Sequence, residues 1–393
     1  VKRWDEADAE VSYLRENYPN EPRAAYYESL VARERGDTEG VSQALAAAVN
    51  GFETMDPEQL NGSLQFLMLA ALSNYGLQSY ERAREHLERY LTINPDDLGA
   101  NRLMATTLLA INEPERAAQI LLRLHGRFPG DENTTVLLAN AYAALGDHAR
   151  ATELLQGIRG TGTSGSSVEA RLGIAQLNSG QISDSIETLE SVVTAQPGKT
   201  NLQLPLAVAY MRANRWSDAR SILEELASRD PENDNFQNLL SLCYINLDEL
   251  ELAEETMNAL IARSPRFIPP YINLAKLAEG RDDSTTAATL LDTAAGFAPE
   301  SARIVAAKAE LALIKGDNDE ALRLAERTYQ LAPENVEYAS FLVRQYLTAG
   351  LYDEAEKAAK SASSSGDDEF AGGVLYGRTL PRLGRPKPAA LVY

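Results

Sequence analysis

The stretch "GDHARATELL", Gly146–Leu155, holds a small residue, Ala151, that returns along the chain at a constant interval. The positions in phase with it are Ala83, Ala117, Ala151, Ser185, Ala219, Ala253, Ala287, Ala321, Ala355 and Ala389, nine alanines and one serine. Twelve residues after most of them stands a proline: Pro95, Pro129, Pro197, Pro231, Pro265, Pro299 and Pro333. Five residues before, glycine occurs at Gly146, Gly180, Gly316, Gly350 and Gly384. Four residues after come Leu87, Leu121, Leu155, Leu189, Leu223, Met257 and Leu291.

Each position has a physical reading. Between glycine and proline lies one helix, with apolar residues at i, i+3, i+4 and i+7. A small residue near its start lets a neighbouring helix approach closely, and a larger side chain there overpacks. Proline lacks an N–H and clashes with the preceding turn, so "NPDD", "DPEN" and "APEN" end one repeat and open the next. The helix before carries its own apolar pattern, as in Leu138-Ala139 with Tyr142 and Leu206-Ala207 with Tyr210. Two helices in a period of about 34 residues, a small residue at their crossing and proline at the exit resemble a tetratricopeptide repeat (TPR). The resemblance implies an all-α TPR solenoid, a right-handed superhelix of antiparallel helix pairs.

The phase predicts nine units: 64–97, 98–131, 132–165, 166–199, 200–233, 234–267, 268–301, 302–335 and 336–369. Ahead of them, 21–63 reads as an irregular repeat whose turn "VNGFETMDPEQLNGS" is about eight residues longer. Residues 1–20 read as the second helix of a truncated repeat, and 370–393 as a partial one. Both ends fall within a repeat, which predicts a fragment of a longer array. "GIRGTGTSGSS", 157–167, replaces one expected proline and reads as a relaxed turn, with a hinge as the alternative.

Composition narrows the partners. The chain has 393 residues, 44% hydrophobic and 24% charged, with a formal net charge of −20. Such a field repels phosphate backbones and anionic headgroups, so a protein or an extended peptide is expected rather than nucleic acid or a membrane surface. The single cysteine, Cys243, rules out an intrachain disulfide. No apolar run reaches the ~20 residues that a membrane helix needs, so direct membrane insertion is not expected.

Nothing points to an enzyme, a cofactor or a metal. His86, His125 and His148 have no second histidine or cysteine at ligand spacing, and each reads as a surface or packing residue. Cys243 reads as a small core residue. What remains is surface, on the first helix of each unit, whose second, fifth, ninth, twelfth and thirteenth positions are expected to face inward. Across 132–267 these include Asn133, Asn140, Asn178, Asn201, Arg212, Asn235, Asn238 and Asn246, with Tyr210 and Tyr244 behind. Asparagine can donate to and accept from an extended peptide backbone at once. For Asn133, Asn201 and Asn235, near helix starts, N-capping is the alternative. Later units turn charged, with Lys276, Glu279, Arg303, Glu310, Glu337 and Arg344, which suits a different ligand.

A narrower resemblance rests on "AREHLERYLTINPDDLGANRLMATTLLAINEPERAAQILLRL" (83–124), "LLANAYAALGDHARATELL" (137–155) and "EARLGIAQLNSGQISDSIETLESV" (169–192). These resemble the TPR-repeat lipoproteins of PEP-CTERM/exosortase systems and exopolysaccharide production in Gram-negative bacteria. That resemblance implies a periplasmic or outer-membrane-associated scaffold, with a cytoplasmic location as the alternative. A second reading makes the array the regulatory or substrate-presenting arm of a larger enzyme such as a glycosyltransferase. The chain departs from chaperone-binding TPR domains, since Val136 stands where their carboxylate clamp has lysine near the asparagine, here Asn140.

Overall fold

A computed structural model describes residues 4–18, 21–159, 165–196, 200–365 and 379. Among the described residues there are 22 helices and no strand. α1 (Trp4–Asn17) comes first, then the pair α2 (Pro22–Glu34) and α3 (Thr38–Thr54), then the short α4 (Pro57–Asn61). Four pairs follow: α5 (Leu64–Gly76) with α6 (Tyr80–Ile93), α7 (Leu98–Ala110) with α8 (Pro114–Arg127), α9 (Glu132–Ala144) with α10 (His148–Gly157), and α11 (Gly165–Asn178) with α12 (Ile182–Ala195). Next come α13 (Thr200–Arg212) with α14 (Trp216–Arg229), α15 (Asp234–Asn246) with α16 (Leu250–Arg263), and α17 (Pro269–Glu279) with α18 (Ser284–Phe297). The last are α19 (Ala302–Ile314) with α20 (Asn318–Leu331) and α21 (Val336–Thr348) with α22 (Tyr352–Ser365). The first helix of each pair is termed A and the second B. From Tyr80 to Tyr352 the B helices start at one unvarying interval, the same that separates Ala83 from Ala117. Contacts divide the chain into two compact units, Val1–Thr188 and Leu189–Tyr393.

The in-phase small residue is where helices A and B cross. Ala83, Ala117, Ala151, Ala219, Ala253, Ala287, Ala321 and Ala355 are all at most 1% exposed. Ser185 is equally buried, and its hydroxyl donates to the Gly173 carbonyl at 2.7 Å, so the one polar substitute is satisfied. One turn on, Leu87, Leu121, Leu155, Leu223, Met257 and Leu291 fill the space between the paired helices, and Leu189 at the same position is buried too, each at most 2% exposed. In the last two pairs that position is Ala325 and Ala359. Among the described residues the core around α21 and α22 joins Ala325, Ala355, Ala358 and Ala359 with Leu342 and Val343, and Leu322, Tyr329, Phe341, Tyr346 and Leu347 pack against it.

The A-to-B turn is set by one left-handed residue. Gly146, Gly180, Gly316 and Gly350 have φ of 75 to 82°. In the other pairs from α5 onward the same position is Gln78, Asn112, Asn214, Asp248 or Asp282, with φ of 58 to 62°. Asn and Asp tolerate this region because their short polar side chains bond locally, and Gln does so less well. The next residue closes the turn by donating to the carbonyl five back, as Glu113 does to Leu108 at 2.8 Å and Arg215 to Tyr210 at 2.8 Å. This is the Schellman arrangement, which satisfies carbonyls that the helix end leaves open.

The B-to-A turn ends in an N-cap. Asp97, Asp131, Asn233 and Asn335, the last residues of "NPDD", "FPGD", "DPEN" and "APEN", accept from the backbone N–H groups of Ala100, Thr134, Phe236 and Tyr338. One sequence expectation changes here. The extra residues in 49–63 do not lengthen a turn. They extend α3 to 17 residues and build α4, capped by Asp56. In 157–167, residues 160–164 lie outside the described residues. On its flanks α10 stops at Gly157 and α11 starts at Gly165, and Leu155 and Ile158 pack with Val168 and Leu172.

Two predictions follow from this geometry. Ala219→Leu should lower stability by ~1–3 kcal/mol through overpacking at the crossing, read as a lower denaturant midpoint. An unchanged midpoint would place residue 219 outside the crossing. Gln78→Gly should raise stability by about 0.5–1 kcal/mol, because it removes a left-handed strain from an exposed turn. A lower midpoint for this variant would mean that the glutamine side chain holds the turn.

Candidate functional site

The A helices carry the candidate residues, and the helix bounds fix where each stands. Asn133 is the second residue of α9 and Asn235 the second of α15, both exposed. Neither caps its helix. The caps are Asp131 and Asn233, two residues earlier, so the capping alternative for these two is corrected. Asn201 is second in α13, and only its backbone is described. Pro205 lies inside α13 and cannot donate to the Asn201 carbonyl, which leaves that oxygen without its helical partner. Asn178, Arg212 and Asn246 are the last residues of α11, α13 and α15, and all three are exposed.

In the first unit, Asn140 stands mid-helix on α9, where its Oδ1 accepts from Arg171 Nη1 of α11 at 2.8 Å. That bond ties consecutive A helices and uses the Asn140 oxygen, not its amide N–H groups. One repeat earlier, Arg102 of α7 pairs with Asp131, the N-cap of α9, and donates to Thr134 Oγ1 at 3.1 Å. Burial pushes the Asp131 carboxyl up, but the bonds from Thr134 and Arg102 outweigh it and hold the carboxyl below its ordinary value.

In the second unit, α15 brings three candidates onto one stripe. Asn235, Asn238 and Asn246 lie three and eleven residues apart, close to whole turns of 3.6 residues. Asn238 Oδ1 accepts from Asn273 Nδ2 of α17 at 3.2 Å, an amide pair between consecutive A helices. Asn246 Nδ2 donates to its own helix, to the Leu242 carbonyl at 2.8 Å, so its oxygen remains for a partner. Asn273 and Arg171 were not singled out by sequence. Both sit one position beyond the expected inward set, on the edge that faces the neighbouring helix.

The tyrosines behind this face are anchored toward the B helices. Tyr210 donates to Glu190 Oε1 at 2.6 Å, and the Arg215 guanidinium lies 4.3 Å from its ring centroid. Burial and then the Glu190 bond push its phenol up to about 12. Tyr346 repeats this with Glu326 at 2.9 Å and is pushed to about 12 for the same reasons. Tyr244 has Arg220 at 5.3 Å over its ring.

The charged residues of the later A helices form a partly paired group. Lys276 meets Glu310 at 3.3 Å. Burial, and next the Glu310 charge, raise the Glu279 carboxyl, against the pull of Lys276. Arg344 lies 5.9 Å from the Phe341 ring centroid.

No cluster of potential metal ligands occurs among the described residues, and no described helix is long and apolar enough to cross a membrane. His86 is largely buried, and desolvation, aided by Arg89, lowers its pKa. Cys243 is fully buried, its thiol pushed up to about 11 by burial, a state far from a reactive thiolate.

The raised phenols have a sign that can be measured. The fold favours neutral Tyr210 and Tyr346, so this contribution is complete below about pH 10 and is lost as pH rises toward the folded values. Tyr210→Phe/Tyr346→Phe should therefore lose stability less steeply than the parent between about pH 10 and 12. Parallel pH profiles of the denaturant midpoint would show that the two phenols titrate alike in both states.

Comparison with known proteins agrees with this architecture. Three family models, each described as tetratricopeptide repeat, match residues 75–133, 176–243 and 312–372, then 272–336, and then 133–156. Comparison with curated protein sequences gives no match. Among solved structures, yeast Tom70 is similar with a TM-score of 0.52 at 17% identity, over 99% of this chain and 87% of that one. A tetratricopeptide repeat protein from Parabacteroides merdae aligns with a TM-score of 0.47 at 16% identity, over 63% of this chain and 97% of that one. The paired helices, the buried small residue at each crossing and the family-model matches lead to one conclusion: the chain belongs to the tetratricopeptide repeat family.

Proposed function

We propose that this protein is a non-catalytic interaction scaffold that holds extended protein segments along its A-helix face. The observation that carries the reading is the half-satisfied state of its asparagines. Asn140 and Asn238 have their oxygens held by a neighbouring helix, and Asn246 has its amide nitrogen held by its own. Each side chain is thereby oriented, with one hydrogen-bonding function left for a partner backbone. Pre-orientation lowers the entropy lost on binding. We place the scaffold in the bacterial cell envelope, periplasmic or outer-membrane-associated, in exopolysaccharide export or assembly. Support for that setting is the resemblance carried by residues 83–124, 137–155 and 169–192.

The test uses the chain as bait in cells that produce it. Asn140→Ala/Asn238→Ala/Asn246→Ala should weaken capture of its partner by about tenfold or more, at ~0.5–1.5 kcal/mol per lost bond, with helicity unchanged. Raising salt from about 0.1 M to 1 M should change capture little, because few ion pairs form on these helices. A triple variant that binds as well as the parent, with high salt alone releasing the partner, would transfer the contact to the acidic surface. Cell fractionation tests the setting, and recovery of the chain from the cytosol alone would overturn it.

A further inference from the structure

The last two A helices of the second unit, α19 and α21, enclose a groove whose chemistry differs from that of the asparagine rows. Its deeper part has a volume of about 340 Å³, walled by Ala306, Glu310, Glu337, Phe341 and Arg344. It runs on, through Phe341 and Arg344, into a second hollow beside Leu313. Arginine in this acidic chain is generally paired with a carboxylate, as Arg220, Arg263, Arg281, Arg323 and Arg327 are in this unit. Among the described residues Arg344 has only the Phe341 ring, and Glu337 has no cation within ion-pair distance. Glu310, by contrast, is already neutralised by Lys276.

The spacing of these groups defines a partner. Glu337, Phe341 and Arg344 lie on one helix, four and then three residues apart, so the two charges are about 10 Å apart along the axis with the ring between. An extended chain rises about 3.3 Å per residue and turns alternate side chains to the same face. Five extended residues therefore present three side chains over ~13 Å, and long charged side chains absorb the difference. We propose that this groove is a second docking site, for an extended segment with a basic, an apolar and an acidic residue at alternate positions. The base meets Glu337, the apolar residue covers Phe341 and Ala306, and the acid meets Arg344. The proposal rests on the reading that A helices of this chain hold protein segments, but it uses different repeats and a different force.

Three blocked, labelled peptides test it against the full chain: Gly-Lys-Ser-Leu-Ser-Glu-Gly, and its versions with two lysines or two glutamates at the charged positions. The mixed peptide should bind best, with each exposed ion pair worth a few-fold, and about 1 M salt should erase the preference. Glu337→Lys should shift the preference to the two-glutamate peptide, and Arg344→Glu to the two-lysine peptide. Glu337→Lys/Arg344→Glu together should restore the mixed peptide, which then runs in the opposite direction, and this outcome also shows that the variants fold. Equal binding of all three peptides by the parent, or a ranking that the charge reversals leave unchanged, overturns the proposal. Neither result bears on the asparagine reading, whose test concerns residues 140, 238 and 246.

Discussion

Two helices can cross at close range only where no side chain much larger than a methyl group stands between them. Every pair from α5 to α22 meets that limit at one position, and the rest of the fold is arranged around it. The crossing fixes the distance between A and B, so one turn later a single large side chain, leucine or methionine, fills the space in most pairs, and alanine stands there in the last two. It also fixes the direction in which the chain must reverse, and a residue with positive φ supplies that reversal in all nine of these pairs. Close approach, filled space and left-handed turn form one solution, repeated from each pair to the next without a change of interval.

What was legible in the sequence was what sterics alone decides. Ala151, Leu155 and Gly146 carry their roles in their size, so their recurrence could be read directly. Residues that reach the same conformation by other means were harder to see. Gln78, Asn112, Asn214, Asp248 and Asp282 adopt the left-handed turn without being glycine, and only the backbone angles reveal them. The expected long turn in 49–63 became helix for a similar reason. Asp56 supplies an N-cap and Pro57 a ready-set first residue, and together they start α4 where composition suggested a loop.

The candidate site was legible only in outline. Helical phase identified the A-helix face and its asparagines, but not what each amide does with its neighbours. Asn246 turns back to its own helix, whereas Asn140 and Asn238 are gripped from the next A helix by Arg171 and Asn273. Such bonds join residues 31 and 35 apart in sequence, and no local pattern marks one of them as a partner. The caps show the same limit on a smaller scale. A shift of two residues separates Asn233, which closes a helix start, from Asn235, which is exposed on the helix surface.

Alanines stand in place of leucine at Ala325 and Ala359, in the last described helix pairs. Each lacks the carbons that a leucine would bury, at about 0.8 kcal/mol per methylene, so this one position contributes less in these two pairs than in the pairs before them. In an array where each repeat touches only its neighbours, such a pair opens without disturbing those further along. The groove between α19 and α21 has one wall on that pair, so it exists only while the pair is closed. Whatever the groove takes up is then linked to any local opening of that pair: the ligand tightens the joint, and opening of the joint weakens the ligand by the same free energy.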